Sequence, residues 1–170
     1  MAESLVGFFT GSLNGIIGKE MICFIISLFP ILELRGGLLA ASPAFLDVSL
    51  KFALPLCIIG NLLPIPFVLL FIEKILIWME KFNPTKNIAL WLRNKAEKNR
   101  DKVEKYEFWG LVLFVGIPLP GTGAWTGSLV AALLHIPFKK AFLACVIGVC
   151  LAAVIMTLLS YGLLGAIAAL

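Results

Sequence analysis

From Phe52 to Ile72 the chain runs for 21 residues without a charge, and Ala141 to Ser160 does so for another 20. At 1.5 Å per residue, a helix of about 20 residues covers the roughly 30 Å hydrocarbon layer of a bilayer. The whole chain is 61% apolar and only 14% charged, against roughly 45 to 50% and 25% in a soluble domain. Its mean hydropathy is +1.02. These values exclude a soluble globule and point to an all-α, polytopic membrane protein.

Charge is concentrated in one place. Residues 73–107 hold nine of the fourteen Lys and Arg and six of the ten acids. Asn83-Pro84 has the form of a helix start, and Ile88, Leu92, Ala96, Val103 and Tyr106 recur beyond it at helical spacing. The segment reads as an amphipathic connector on the membrane surface, cytoplasmic by the positive-inside rule. Trp78, Trp91, Tyr106 and Trp109 suit an interfacial aromatic belt. A pI near 9.0 could point to nucleic acid, but no recognition module accompanies the basic residues, so lipid headgroups are the expected anionic neighbours. Residues 1–20 read as an N-terminal amphipathic helix interrupted by four glycines, with no cleaved signal peptide expected. Cys23, Cys57, Cys145 and Cys150 lie in apolar stretches and read as small hydrophobes.

Two apolar segments do not fit an uninterrupted helix. Met21 to Ala44 contains Pro30, Glu33, Arg35, Gly36 and Gly37; Phe108 to Ile136 contains Gly116-Ile117-Pro118-Leu119-Pro120-Gly121-Thr122-Gly123-Ala124-Trp125-Thr126-Gly127. A charge at a helix centre costs roughly 2.5 to 3.5 kcal/mol on insertion scales, and proline and glycine remove helical hydrogen bonds and propensity. Backbone that breaks at this depth has to line a polar cavity or be buried in protein. The spanning run 52–72 carries Pro55, Gly60, Asn61, Pro64 and Pro66, which predicts a kinked helix packed on neighbours. Asn61 reads as a helix-bridging group in preference to a ligand.

The two broken segments share a skeleton. Pro30, Gly37 and Ala41 recur as Pro120, Gly127 and Ala131, and Ile58-Ile59-Gly60 recurs as Val146-Ile147-Gly148. The expected organisation is therefore two repeats, 21–72 and 108–170, each a re-entrant broken hairpin followed by a spanning helix, joined by the connector. With 73–107 and the corner His135 to Lys140 both cytoplasmic, the spanning helices run in opposite directions. The repeats are then inverted, and the hairpin tips meet near the midplane, where many transporters hold substrate.

Phe29-Pro30-Ile31-Leu32-Glu33-Leu34-Arg35-Gly36-Gly37 and Ile117 to Gly127 resemble the two signature stretches of the small multidrug export family, a likeness covering nearly the whole chain from about residue 20. They also resemble the related DedA (VTT) membrane proteins. The family name implies drug export. The DedA likeness implies opposed re-entrant hairpins in the cytoplasmic membrane and translocation of a phospholipid or of undecaprenyl phosphate. DedA proteins commonly carry arginines in the second hairpin, whereas Gly116 to Gly127 has none, so no arginine role is carried over there.

The candidate substrate-binding residues are Glu33, Arg35, Gly36, Gly37, Gly121, Thr122, Gly123, Trp125, Thr126 and Gly127. Arg35 offers a fixed fork of donors to a phosphate, and glycine-rich backbone, threonine hydroxyls and the next helix's N-terminus complete an anion clamp. Low dielectric favours the neutral form of a carboxyl group, the neighbouring arginine the charged one. Glu33 is the candidate coupling residue, moving a proton with the substrate. The bland alternatives stay open: a buried Glu33–Arg35 pair that only closes the hairpin, a break needed only for folding, and a Trp125 that merely packs. His135 reads as interfacial. No nucleophile sits beside a base, and no HExxH or Cys/His cluster occurs, so neither catalysis, a metal nor a cofactor is expected. The expected function is translocation of an anionic lipid phosphate, with efflux of small amphiphiles as the alternative; a homodimer stays open.

Inverted repeats make a direct prediction. Single cysteines at Lys51 and Lys139 should react with an impermeant thiol reagent from opposite sides of the membrane; labelling from one side contradicts inversion.

Overall fold

A computed structural model describes residues 6–8, 10–11, 17–81, 83–98, 107–119 and 121–163. Most of the expected helix over 1–20, the connector's end at 99–106, Pro120 and the tail from 164 lie outside the described residues. The regular structure is helical: α1 (Lys19–Leu28), α2 (Glu33–Ala41), α3 (Leu50–Leu62), α4 (Ile65–Glu80), α5 (Asn83–Lys98), α6 (Glu107–Gly116), α7 (Ala124–Leu133) and α8 (Phe138–Thr157), the last continuing as a π-helical turn, Leu158–Leu163.

The breaks fall where local sterics put them. Phe29 precedes Pro30, whose ring disfavours the helical region for the residue before it, and Phe29 is extended with φ −76° and ψ 135°. α6 stops at Gly116, just before Ile117-Pro118. α7 starts after Gly123, whose φ of 135° and ψ of −175° lie in a region open essentially to glycine alone. Gly36 and Gly37, expected to help break the first segment, instead continue α2. Their missing side chains let helices approach: a Cβ on Gly37 would meet Ser27 Oγ of α1 and lie 2.9 Å from the Cys23 carbonyl.

The run 52–72 is interrupted at Leu63-Pro64, and apolar Ile75 to Trp78 carry α4 on to Glu80. So the spanning run and the start of the charged connector share one helix. Arg93 of α5 pairs with Glu80 of α4. Leu50–Ile72 and Phe138–Gly162 are long and apolar enough to cross a bilayer, with mean hydropathies of 2.3 and 2.8. Phe52, Phe67, Leu70, Leu143 and Val154 point outward, while Ser27, Glu33, Asn61 and Ser128 are buried. That distribution places apolar groups where lipid lies and polar ones where protein can satisfy them. Asn61 Oδ1 has no partner among the described residues.

The same contacts occur in both halves. α1 packs on α2 and α3 as α6 packs on α7 and α8. Gly60 of α3 lies against α1, where a Cβ would be 2.8 Å from the Phe24 carbonyl; Gly148 of α8 lies against α6, where a Cβ would be 2.6 Å from Val115 Cβ. Each short inner helix also leans on the other half's long helix, α2 on α8 and α7 on α4. From the π-helical turn, the Tyr161 hydroxyl reaches the carbonyls of Ala41 (3.1 Å) and Val48 (2.8 Å) that bound the α2–α3 loop.

Gly148→Ala should therefore destabilise the protein by about 1 to 3 kcal/mol through overpacking, read as a lower Tm in detergent. Gly162→Ala, with no described residue within 4 Å of the new carbon, should leave the Tm unchanged. Equal behaviour of the two would show that the α6–α8 contact has slack.

Candidate functional site

Glu33 opens α2 with φ of +53°, a left-handed conformation that costs an L-residue roughly 1 to 2 kcal/mol. The strain aims its carboxylate at the second break. The Ala124 N–H donates to Oε2 and the Trp125 N–H to Oε1, each at 3.1 Å. Glu33 is only 5% exposed. These donors are the first amides of α7, unpaired within the helix and at its positive dipole end. Gly123 leaves room for the contact, because a Cβ there would fall on the Glu33 carboxylate. The anion site expected of this helix start is thus filled by a carboxylate of the chain itself.

Arg35 engages the other side of the same break. Its Nη1 donates to the Leu119 carbonyl at 2.8 Å, and its Nη2 to the Ile117 carbonyl at 3.3 Å and to Thr122 Oγ1 at 3.2 Å. The Thr122 hydroxyl has the same two carbonyls in reach of its proton, Leu119 at 2.8 Å and Ile117 at 2.9 Å. Three of the five guanidinium donors are therefore spent on the chain between α6 and α7. A third tie runs the opposite way: Trp125 Nε1 donates to the carbonyl of Leu28, the last residue of α1, at 3.2 Å.

A cavity of about 620 Å³ lies between the two breaks. Glu33, Arg35, Gly36, Gly121, Thr122 and Thr126 line it; Gly121 adopts φ +82°. Much of the remaining lining is apolar, including Ile31 and Leu39 from the first half and Met156 and Leu159 from α8 and its π-helical turn. Four expected site residues sit elsewhere. Gly37 and Gly127 are buried helix-packing positions, the latter against Val115 and Leu111, Gly123 lies under the Glu33 carboxylate, and Trp125 is tied to Leu28. Met156 and Leu159 had no distinguishing signal, since nothing local in an all-apolar helix marks the face that turns inward. Within this cavity, polar groups and apolar side chains together can hold the two ends of an amphiphile.

The family model described as "Putative small multi-drug export protein" matches residues 33–155. That is well over half of the chain, and the chain belongs to this family. No curated protein and no solved structure gave a significant match.

Glu33→Ala should strand the Ala124 and Trp125 amides and cost about 1 to 3 kcal/mol, whereas Glu33→Gln keeps an acceptor oxygen and should cost less. Thermal unfolding in detergent checks the order; equal loss in both would mean that the two hydrogen bonds are not what holds the breaks together.

Proposed function

We propose that this member of the small multi-drug export family is a multi-pass transporter of the cytoplasmic membrane that moves an amphiphile through the cavity between its two broken segments. The carrying observation is the cavity itself, whose 620 Å³ lies within the roughly 300 to 1,000 Å³ typical of small-molecule sites. The recurrence of the same element order and glycine contacts in both halves supports two repeats, and their inversion would make each broken segment a re-entrant hairpin. In such an arrangement, rocking one half against the other exposes the cavity to each side in turn. Release requires the ties of Glu33, Arg35 and Trp125 to loosen. Glu33 is the coupling group in this reading, because a proton on its carboxyl group weakens its hold on the α7 amides.

A second reading has its own support. The α7 N-terminus accepts a carboxylate, and an anionic phosphate could take that place, as the DedA-like translocation of a phospholipid or undecaprenyl phosphate would require. On either reading the partners are membrane lipids and the amphiphile, and a homodimer stays open.

Leu159→Trp, which adds bulk to the apolar lining, should abolish movement of a fluorescent amphiphile into vesicles; transport equal to the parent's removes the cavity from the path. Glu33→Gln should make transport insensitive to an imposed pH gradient. A gradient response equal to the parent's removes Glu33 from coupling.

A further inference from the structure

Where α6 stops, three acceptor oxygens converge: the carbonyls of Ile117 and Leu119 and Thr122 Oγ1, all within 3.3 Å of the Arg35 guanidinium. Neither carbonyl belongs to a helical ladder: each accepts one loop amide, Leu119 N–H to Ile117 at 2.8 Å and Thr122 N–H to Leu119 at 3.2 Å, and keeps a second lone pair for the guanidinium, with the negative end of the α6 dipole adding to the field. Among the described residues, the groups of this loop bonded to the guanidinium are all acceptors. An anion gains nothing there, while a cation rich in N–H donors gains several charge-assisted hydrogen bonds. The geometry points to this cage as the headgroup site of the transported amphiphile, with a guanidinium or similarly donor-rich organic cation as the headgroup and Arg35 as its tethered stand-in.

The inference rests on the export reading and gives that reading a charge sign. Arg35, Pro118 and Thr122 all line the cavity, so the cage borders it and a headgroup entering the cavity meets the cage at the Arg35–Thr122 side. Its apolar body then lies along Ile31, Leu39, Met156 and Leu159. The displaced Arg35 has Glu33 in the lining of the same cavity as a counter-charge. A resident side chain competes with substrate at an effective concentration on the order of millimolar, so it keeps weak ligands out and yields to a cation that also brings apolar contact.

Calorimetry on purified protein with octylguanidinium and octyl phosphate tests the assignment. Arg35→Ala should bind octylguanidinium about tenfold or more tighter than the parent, with no gain for octyl phosphate. Adding Thr122→Val to Arg35→Ala removes one acceptor and should lower that affinity about tenfold. An unchanged affinity in Arg35→Ala, a gain for octyl phosphate, or indifference to Thr122→Val overturns the cage. Should Arg35→Ala not fold, the parent decides: preference for octylguanidinium over octyl phosphate supports the assignment, and the reverse preference ends it. Vesicle transport separates the two levels. Movement of octyl phosphate without octylguanidinium binding ends the cation assignment and leaves export standing; movement of neither ends the export reading and the cage's role with it.

Discussion

A helix cut in the middle of an apolar layer presents two uncompensated ends, carbonyls on one side and amides on the other. Here the cut between α6 and α7 is answered from the opposite half by three residues of sequence. Glu33 takes the amide end at Ala124 and Trp125, and Arg35 takes the carbonyls of Ile117 and Leu119. Oppositely charged side chains two apart would diverge on a regular helix. The left-handed start of α2 at Glu33 is what lets both reach the same break. The site, the packing of α2 on α8 and the cavity all depend on this match.

Charge in this interior therefore does structural work, tying the two breaks together. Leaving either partner of a buried polar pair alone is costly. On the proposed reading, joining the halves through side chains that a headgroup can replace makes the contact strong at rest and exchangeable in use, which a purely apolar seam of the same area would not be.

Much of this was legible in the residues. Pro30 marked the first break, Pro118 with the glycines around it marked the second, and the shared spacing of Gly37 with Gly127 and Gly60 with Gly148 corresponds to helix contacts that recur between the halves. Local rules misread Gly36-Gly37, because a glycine that frees the backbone and one that makes room for a neighbour look alike until the neighbour is known. The partners of Glu33 and Arg35 lie more than 80 residues away. Their identity depends on how α2 docks against the far break, which no local spacing encodes. The inward face of α8, with Met156 and Leu159, was hidden for the same reason.

The order of the chain adds a consequence for biogenesis. Glu33 and Arg35 leave the ribosome some 80 residues ahead of the groups that neutralise them. Until α6 and α7 arrive, the first half carries a carboxylate and a guanidinium that hydrocarbon will not accept. It must wait at the water boundary or inside the insertion machinery, and its final depth is reached only after α6 and α7 have been made.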